Sequence, residues 1–139
     1  MEIKYLGHSS FKLKGKTMSV VTDPFDSKMV GLPYPKLAAD IVTVSHQHND
    51  HNDLSKVGGT PGRIEPFVIR RPGEYEVGGV GIIGIKSWHD DKEGAERGEN
   101  IIFTLQIDGV IICHLGDLGV PLSEKQVELI GDIDVLLIP

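Results

Sequence analysis

The sequence predicts an α/β chain in which strands dominate. Three observations carry this. The apolar, β-branched runs are short, as at residues 41–44 and 133–138, and suit buried strands better than helices. Two dipeptides that favour positive φ, Gly78-Gly79 and Asp108-Gly109, lie between such runs like hairpin turns. Only residues 123–130 carry a strong helix start.

Taken in order, the first forty residues read as β-structure. Apolar and basic residues alternate through Phe11, Lys12, Leu13 and Lys14, as in a half-buried strand, and Gly15 turns the chain. Residues 18–22 form the next strand, ending at Asp23-Pro24, and residues 41–45 a buried one. Residues 52–57 suit one or two helical turns before Gly58-Gly59. A hairpin spans 67–88 around Gly78, and the charged, unpatterned stretch 90–100 is a loop. A second hairpin pairs 101–107 with 110–115 across Asp108-Gly109, which suits a type I′ turn. Ser123 and Gln126 then have capping-box spacing, and Gly131 suits a helix terminus. Residues 133–138 are a buried strand again.

Composition narrows the function. The 139 residues are enough for one domain with a core. No apolar run approaches a membrane span, and the N-terminus lacks a signal-peptide layout. The formal charge of −6 leaves no basic stripe and counts against nucleic acid as a partner. A single cysteine, Cys113, allows no intrachain disulfide, which fits a reducing cytoplasm.

The most informative stretch is residues 46–51, His-Gln-His-Asn-Asp-His, directly behind the apolar run 41–44. Neutral imidazoles and a carboxylate are the ligands that borderline cations such as Zn²⁺ take, and Mn²⁺ or Fe accept the same donors. In extended backbone, side chains two apart share a side, so His46 and His48 can converge on one ion. Asp50 and His51 lie further along the turn and can face a second. Two later residues stand at strand ends, His89 after Ser87-Trp88 and Asp117 between Gly116 and Leu118.

This H-x-H-x-D-H block resembles the signature of the metallo-β-lactamase-fold hydrolases. Other stretches fit that family in the same order: residues 5–11 around Gly7-His8-Ser9, then Thr22-Asp23-Pro24-Phe25, His89, and His114-Leu115-Gly116-Asp117. Together they look like its lactonase-like branch, and the likeness runs from about residue 3 to the end of the sequence. The resemblance implies an αβ/βα sandwich of two mixed sheets forming a single domain over 1–139. It implies that His46, His48 and His89 hold one metal, that Asp50 and His51 hold a second, and that Asp117 bridges them. The family normally adds a late His, and none follows His114 here. The expectation is therefore a chain covering about the first two-thirds of a longer protein, binding one or two Zn²⁺ ions.

Other candidates have plainer readings. His8 and His114 are expected behind the ligands rather than among them, His114 as a core residue. Asp23 is either a turn former or a carboxylate that holds the histidine loop from beneath. Adjacent Cys113 and His114 point to opposite faces of a strand, which rules them out as a nucleophile pair. Lys12, Lys14 and Lys16 read as a solvated strand face, and Glu74-Tyr75-Glu76 as an exposed edge. The chemistry expected is metal-assisted hydrolysis of an ester, lactone, amide or phosphodiester bond in a small molecule. A cation lowers the pKa of its water from about 16 to near 7, and Asp50 would orient the resulting hydroxide, so no Ser or Cys nucleophile is needed. A nuclease and a non-catalytic metal-binding protein are the alternatives.

Overall fold

The hydrophobic pattern resolves into two five-stranded mixed sheets, each within its own compact unit, Met1–Arg70 and Arg71–Pro139. A computed structural model describes residues 1–138. In the first unit, β1 (Glu2–Gly7), β2 (Ser10–Lys14) and β3 (Ser19–Thr22) run antiparallel. The sheet then switches to parallel pairing through β5 (Ile41–Thr43) and β7 (Phe67–Ile69). β3 and β5 are buried along their whole length, as parallel strands covered on both faces must be. Val21, Phe25, Val42 and Val44 sit at the centre of this unit's core.

Between the strands lies α1 (Ser27–Val30), capped by the Asp26 side chain and ended by Gly31 at φ +78°. A short parallel pair, β4 (Leu37–Ala38) with β6 (Val57–Gly58), completes the unit. The helical turns expected at 52–57 are not formed. Asp53 N–H donates to Pro24 O, and Val57 and Gly58 pair with Leu37 and Ala38, so long-range bonds override the local preference.

In the second unit, β8 (Gly73–Val77) and β9 (Val80–Trp88) form the first hairpin. β10 (Glu99–Ile107) and β11 (Val110–His114) form the second, around Asp108 and Gly109 at φ +52° and +80°, as a type I′ turn requires. The exposed edge expected at Glu74 is β8, the last strand of its sheet. α2 (Glu124–Ile130) starts on a full capping box between Ser123 and Gln126. β12 (Val135–Leu137) joins β11 in parallel. It is not the buried strand that its composition suggests. Leu137 is buried, while Leu136 and the following Ile138 are exposed, and among the described residues β12 pairs on one side only, with β11. Strand-rich mixed sheets with few helices are the fold class the sequence predicts. No helix of the described residues is long and apolar enough to cross a membrane.

Candidate metal centre

A buried carboxylate, Asp23, anchors the 46–51 loop at both ends, through Ser45 and His51. Asp23 follows β3 at φ +38°, a backbone position that Asp tolerates better than most residues. Its N–H bonds Thr43 O at 2.9 Å, which fastens it beside the end of β5. The side chain is fully buried. Oδ1 accepts the Ser45 backbone N–H at 2.7 Å, and Oδ2 accepts both the Ser45 hydroxyl and His51 Nδ1–H, the latter at 2.9 Å.

Tautomers follow from this arrangement. Ser45 has one hydroxyl proton, and the carboxylate takes it. Toward His46 Nδ1, 2.9 Å away, the same oxygen must therefore accept. His46 and His51 both carry their proton on Nδ1, and both present Nε2 as the coordinating nitrogen. The rings lie close, with centroids 4.1 Å apart for His46–His51 and 4.7 Å for His46–His48. His48 is exposed, while His46 and His51 are buried. The loop closes on itself through His51 N–H to His48 O at 2.9 Å.

His8, at the turn after β1, joins the other side of His51. Its Nε2 lies 2.9 Å from His51 Nε2 and 3.3 Å from Asp50 Oδ2. Two groups of the unit thus bring ligand atoms within metal-binding range of one another: His8, Asp50 and His51, and Asp23, His46 and His51. Imidazole nitrogens with tautomers fixed from behind, together with nearby carboxylate oxygens, fit a divalent cation of the zinc type.

The second unit places its own pair. His89 follows β9, and Asp117 follows β11; His89 Nε2 and Asp117 Oδ2 stand 3.2 Å apart. Asn100, fully buried, fixes the Asp117 loop: its Oδ1 accepts the Asp117 N–H at 2.9 Å, and its Nδ2 donates to Leu115 O and Ser87 Oγ. Gly119 makes the approach possible. Its N–H bonds Trp88 O at 2.9 Å, and a Cβ there would stand 2.2 Å from His89 O.

The loop after His89 is not unstructured. It wraps the Asp90 carboxylate, which accepts the backbone N–H groups of Arg97, Lys92, Glu96 and Gly94. These bonds, Arg97's foremost, hold the Asp90 carboxyl down at about 2. His114 is fully buried on β11, in none of the metal-capable groups of the described residues. Burial pushes the neighbouring Cys113 thiol up to about 11.

Sequence reasoning passed over Ser45, Asn100 and Asp90. Each acts through the backbone or through one atom of a neighbour, and none belongs to a spaced pattern. The only available signal was position: Ser45 immediately precedes the histidine block, and Asp90 immediately follows His89.

Comparison with known proteins places these observations. Residues 2–139 match the model of the beta-lactamase superfamily domain. A metal-dependent hydrolase of Archaeoglobus fulgidus is 30% identical, with all of this chain aligned to 71% of that protein. One of Methanoculleus marisnigri is 32% identical over 68% of its length. Among solved structures, a Thermotoga maritima protein proposed to be a Zn-dependent hydrolase of the metallo-beta-lactamase superfamily is 43% identical. It superposes with a TM-score of 0.75, over 96% of this chain and 58% of that one.

Proposed function

Since the chain belongs to the metal-dependent hydrolases of the beta-lactamase superfamily, we propose that it cleaves an ester, lactone, amide or phosphodiester bond of a small molecule in the cytoplasm. His46, His48 and His89 hold one cation, Asp50 and His51 a second, and Asp117 serves both. Zn²⁺ is the expected ion. The observation that carries this reading is the Asp23 network, which spends the Nδ1 protons of His46 and His51 on buried acceptors and turns both Nε2 atoms to coordination. A histidine cluster that merely filled space would not need both tautomers set from behind.

Zn²⁺ bound there would supply Lewis acidity toward the scissile oxygen and would lower the pKa of water to near 7. The protein supplies the rest. Asp23 fixes the Nδ1–H tautomer of His51 directly and that of His46 through Ser45, and restrains both rings. Asp50, part-buried with its carboxylate 3.7 Å from His51 Nε2, would help hold the second cation and orient the attacking water. Asn100 and Gly119 hold Asp117 against His89, so that its carboxylate is in place before substrate arrives. The net charge of −6 favours small substrates over nucleic acid.

The test is a turnover assay of the Zn²⁺-loaded protein on lactones, carboxylic esters, amides and phosphodiesters. Hydrolysis in at least one class, abolished by chelation and by His46→Ala, is the expected result. Full metal loading with no turnover on any class would leave a metal-binding protein in place of an enzyme.

A further inference from the structure

We propose that His8 is itself a metal ligand, completing with Asp50 and His51 a three-donor cation site; this rests on the reading above that Asp50 and His51 bind metal. The sequence places His8 behind the ligands. The structure gives it a different position.

Three donor atoms converge. His8 Nε2 to His51 Nε2 is 2.9 Å, His8 Nε2 to Asp50 Oδ2 is 3.3 Å, and His51 Nε2 to Asp50 Oδ2 is 3.7 Å. Donors about 2.0–2.1 Å from a tetrahedral zinc stand roughly 3.3 Å from one another. The three separations bracket that value, so the spacing of the donors suits one cation.

A supporting role for His8 conflicts with the hydrogen bonding of His51. A residue behind a ligand grips the nitrogen that does not coordinate. For His51 that nitrogen is Nδ1, and Asp23 already holds it at 2.9 Å. His8 instead meets Nε2, the coordinating side. With an ion on His51 Nε2 no lone pair remains for His8 to bond. His8 must then share the ion or turn to Asp50 Oδ2 alone, 3.3 Å away, and that oxygen faces the same ion. The His8 backbone stands at φ +52°, rare for a residue with a Cβ, and the Tyr5 hydroxyl donates to His8 O at 3.0 Å. Gly7, at φ +109°, lets the turn pass Leu32 and Phe25, where a Cβ would come within 3.2 to 3.3 Å. The Phe25 ring meets the imidazole edge-on at 6.0 Å. Strained backbone held from several sides marks a residue positioned for chemistry. His8 thereby supplies, from the first turn of the chain, a donor beyond the two that the 46–51 loop provides for its second ion.

The experiment is a Zn²⁺ titration by calorimetry, with metal content measured after dialysis, on the wild-type chain and on His8→Ala, His8→Gln, His51→Ala and His46→Ala. Circular dichroism of each variant without metal checks that it folds. Removing a ligand should weaken one of two sites by roughly 100-fold or more, beyond the about 10–100-fold typical of a supporting partner. His8→Ala and His51→Ala should lose the same site, His8→Gln should not rescue it, and His46→Ala should affect the other. As a check needing no variant, ¹⁵N spectra of the wild-type histidine rings should show the His8 Nε2 resonance shifting on zinc addition, as a bound nitrogen does. Loss in His51→Ala with full retention in His8→Ala, or rescue by His8→Gln, would overturn the role of His8 alone. Retention in all four variants would remove the metal reading itself.

Discussion

Two buried carboxylates organise the loops that carry the candidate ligands, and they work by different means. Asp23, in the first unit, spends its oxygens on a serine and a histidine, and through the serine it controls another histidine. Asp90, in the second unit, spends its oxygens on four backbone N–H groups of its own loop. Asp23 therefore sets protonation, whereas Asp90 sets shape. The histidine block needs the first kind of support because its chemistry depends on which ring nitrogen is bare. The 90–98 loop needs only the second, because what it must do is return the chain to β10 without displacing His89, whose N–H bonds Gly98 O at 3.1 Å.

The sharpest way to break this comparison is Asp23→Asn. The amide tolerates the positive φ but cannot accept all three donors, because its NH2 must face either the Ser45 N–H or the Ser45 hydroxyl and His51 Nδ1–H. We expect zinc affinity to fall by roughly 10–100-fold and stability by about 3 kcal/mol, since a buried donor left unsatisfied costs about 1–3 kcal/mol. Zinc titration and urea unfolding measure the two effects. An unchanged affinity would mean that the tautomers are not set from Asp23.

Gly119→Ala probes the other unit without replacing a proposed ligand. The added methyl must push against the backbone at His89, and overpacking of this kind costs roughly 1–3 kcal/mol. Thermal unfolding should show the loss, accompanied by weaker metal binding if His89 and Asp117 act as proposed. Full stability would show that the loop at 116–119 yields easily.

Asp90→Ala should have a smaller and local effect. Hydrogen exchange should speed up at the amides of Lys92, Gly94, Glu96 and Arg97, while β9 and β10 keep their protection. If the tautomers of His46 and His51 changed as well, the division between protonation and shape would not hold.

The smallest effect concerns Cys113, which reports whether such loosening stays in its loop. The buried thiol should resist alkylation at pH 8 in the wild type and equally in Asp90→Ala. Its pKa is raised on folding from 9 to about 11. In that window the unfolded chain has lost the proton that the folded chain keeps, so stability declines as pH rises from 9 toward 11. Cys113→Ala should flatten that slope in a pH series of unfolding midpoints.

Much of this was legible in residue order. The hairpin turns at Gly78 and Asp108 and the capping box at Ser123 are local signals, and each formed where residue spacing placed it, although the first hairpin starts only at Gly73 and residues 67–69 pair in the other sheet. The missed elements are set by distant partners. Val57 and Gly58 are a strand because Leu37 and Ala38 offer one, and Leu136, on an edge strand, is exposed while Leu137 beside it is buried. Asn100 and Asp90 escaped notice for the same reason: a carboxamide or carboxylate that binds backbone has no spacing to reveal it. Asp23 could be suspected from its place beside Pro24, but not that one oxygen would serve two side chains.

That sharing has a thermodynamic consequence. A histidine coordinated through Nε2 becomes a stronger donor at Nδ1, so an ion on His51 draws Oδ2 of Asp23 more firmly to itself. The Ser45 hydroxyl, which bonds the same oxygen, is then held less well, and His46 behind it loses some of its orientation. If His46 and His51 serve separate ions as proposed, filling one position would tax the other, and by linkage the penalty would be mutual. Occupancy would therefore be graded across metal concentrations, with a singly loaded form as a real population between the apo and fully loaded states.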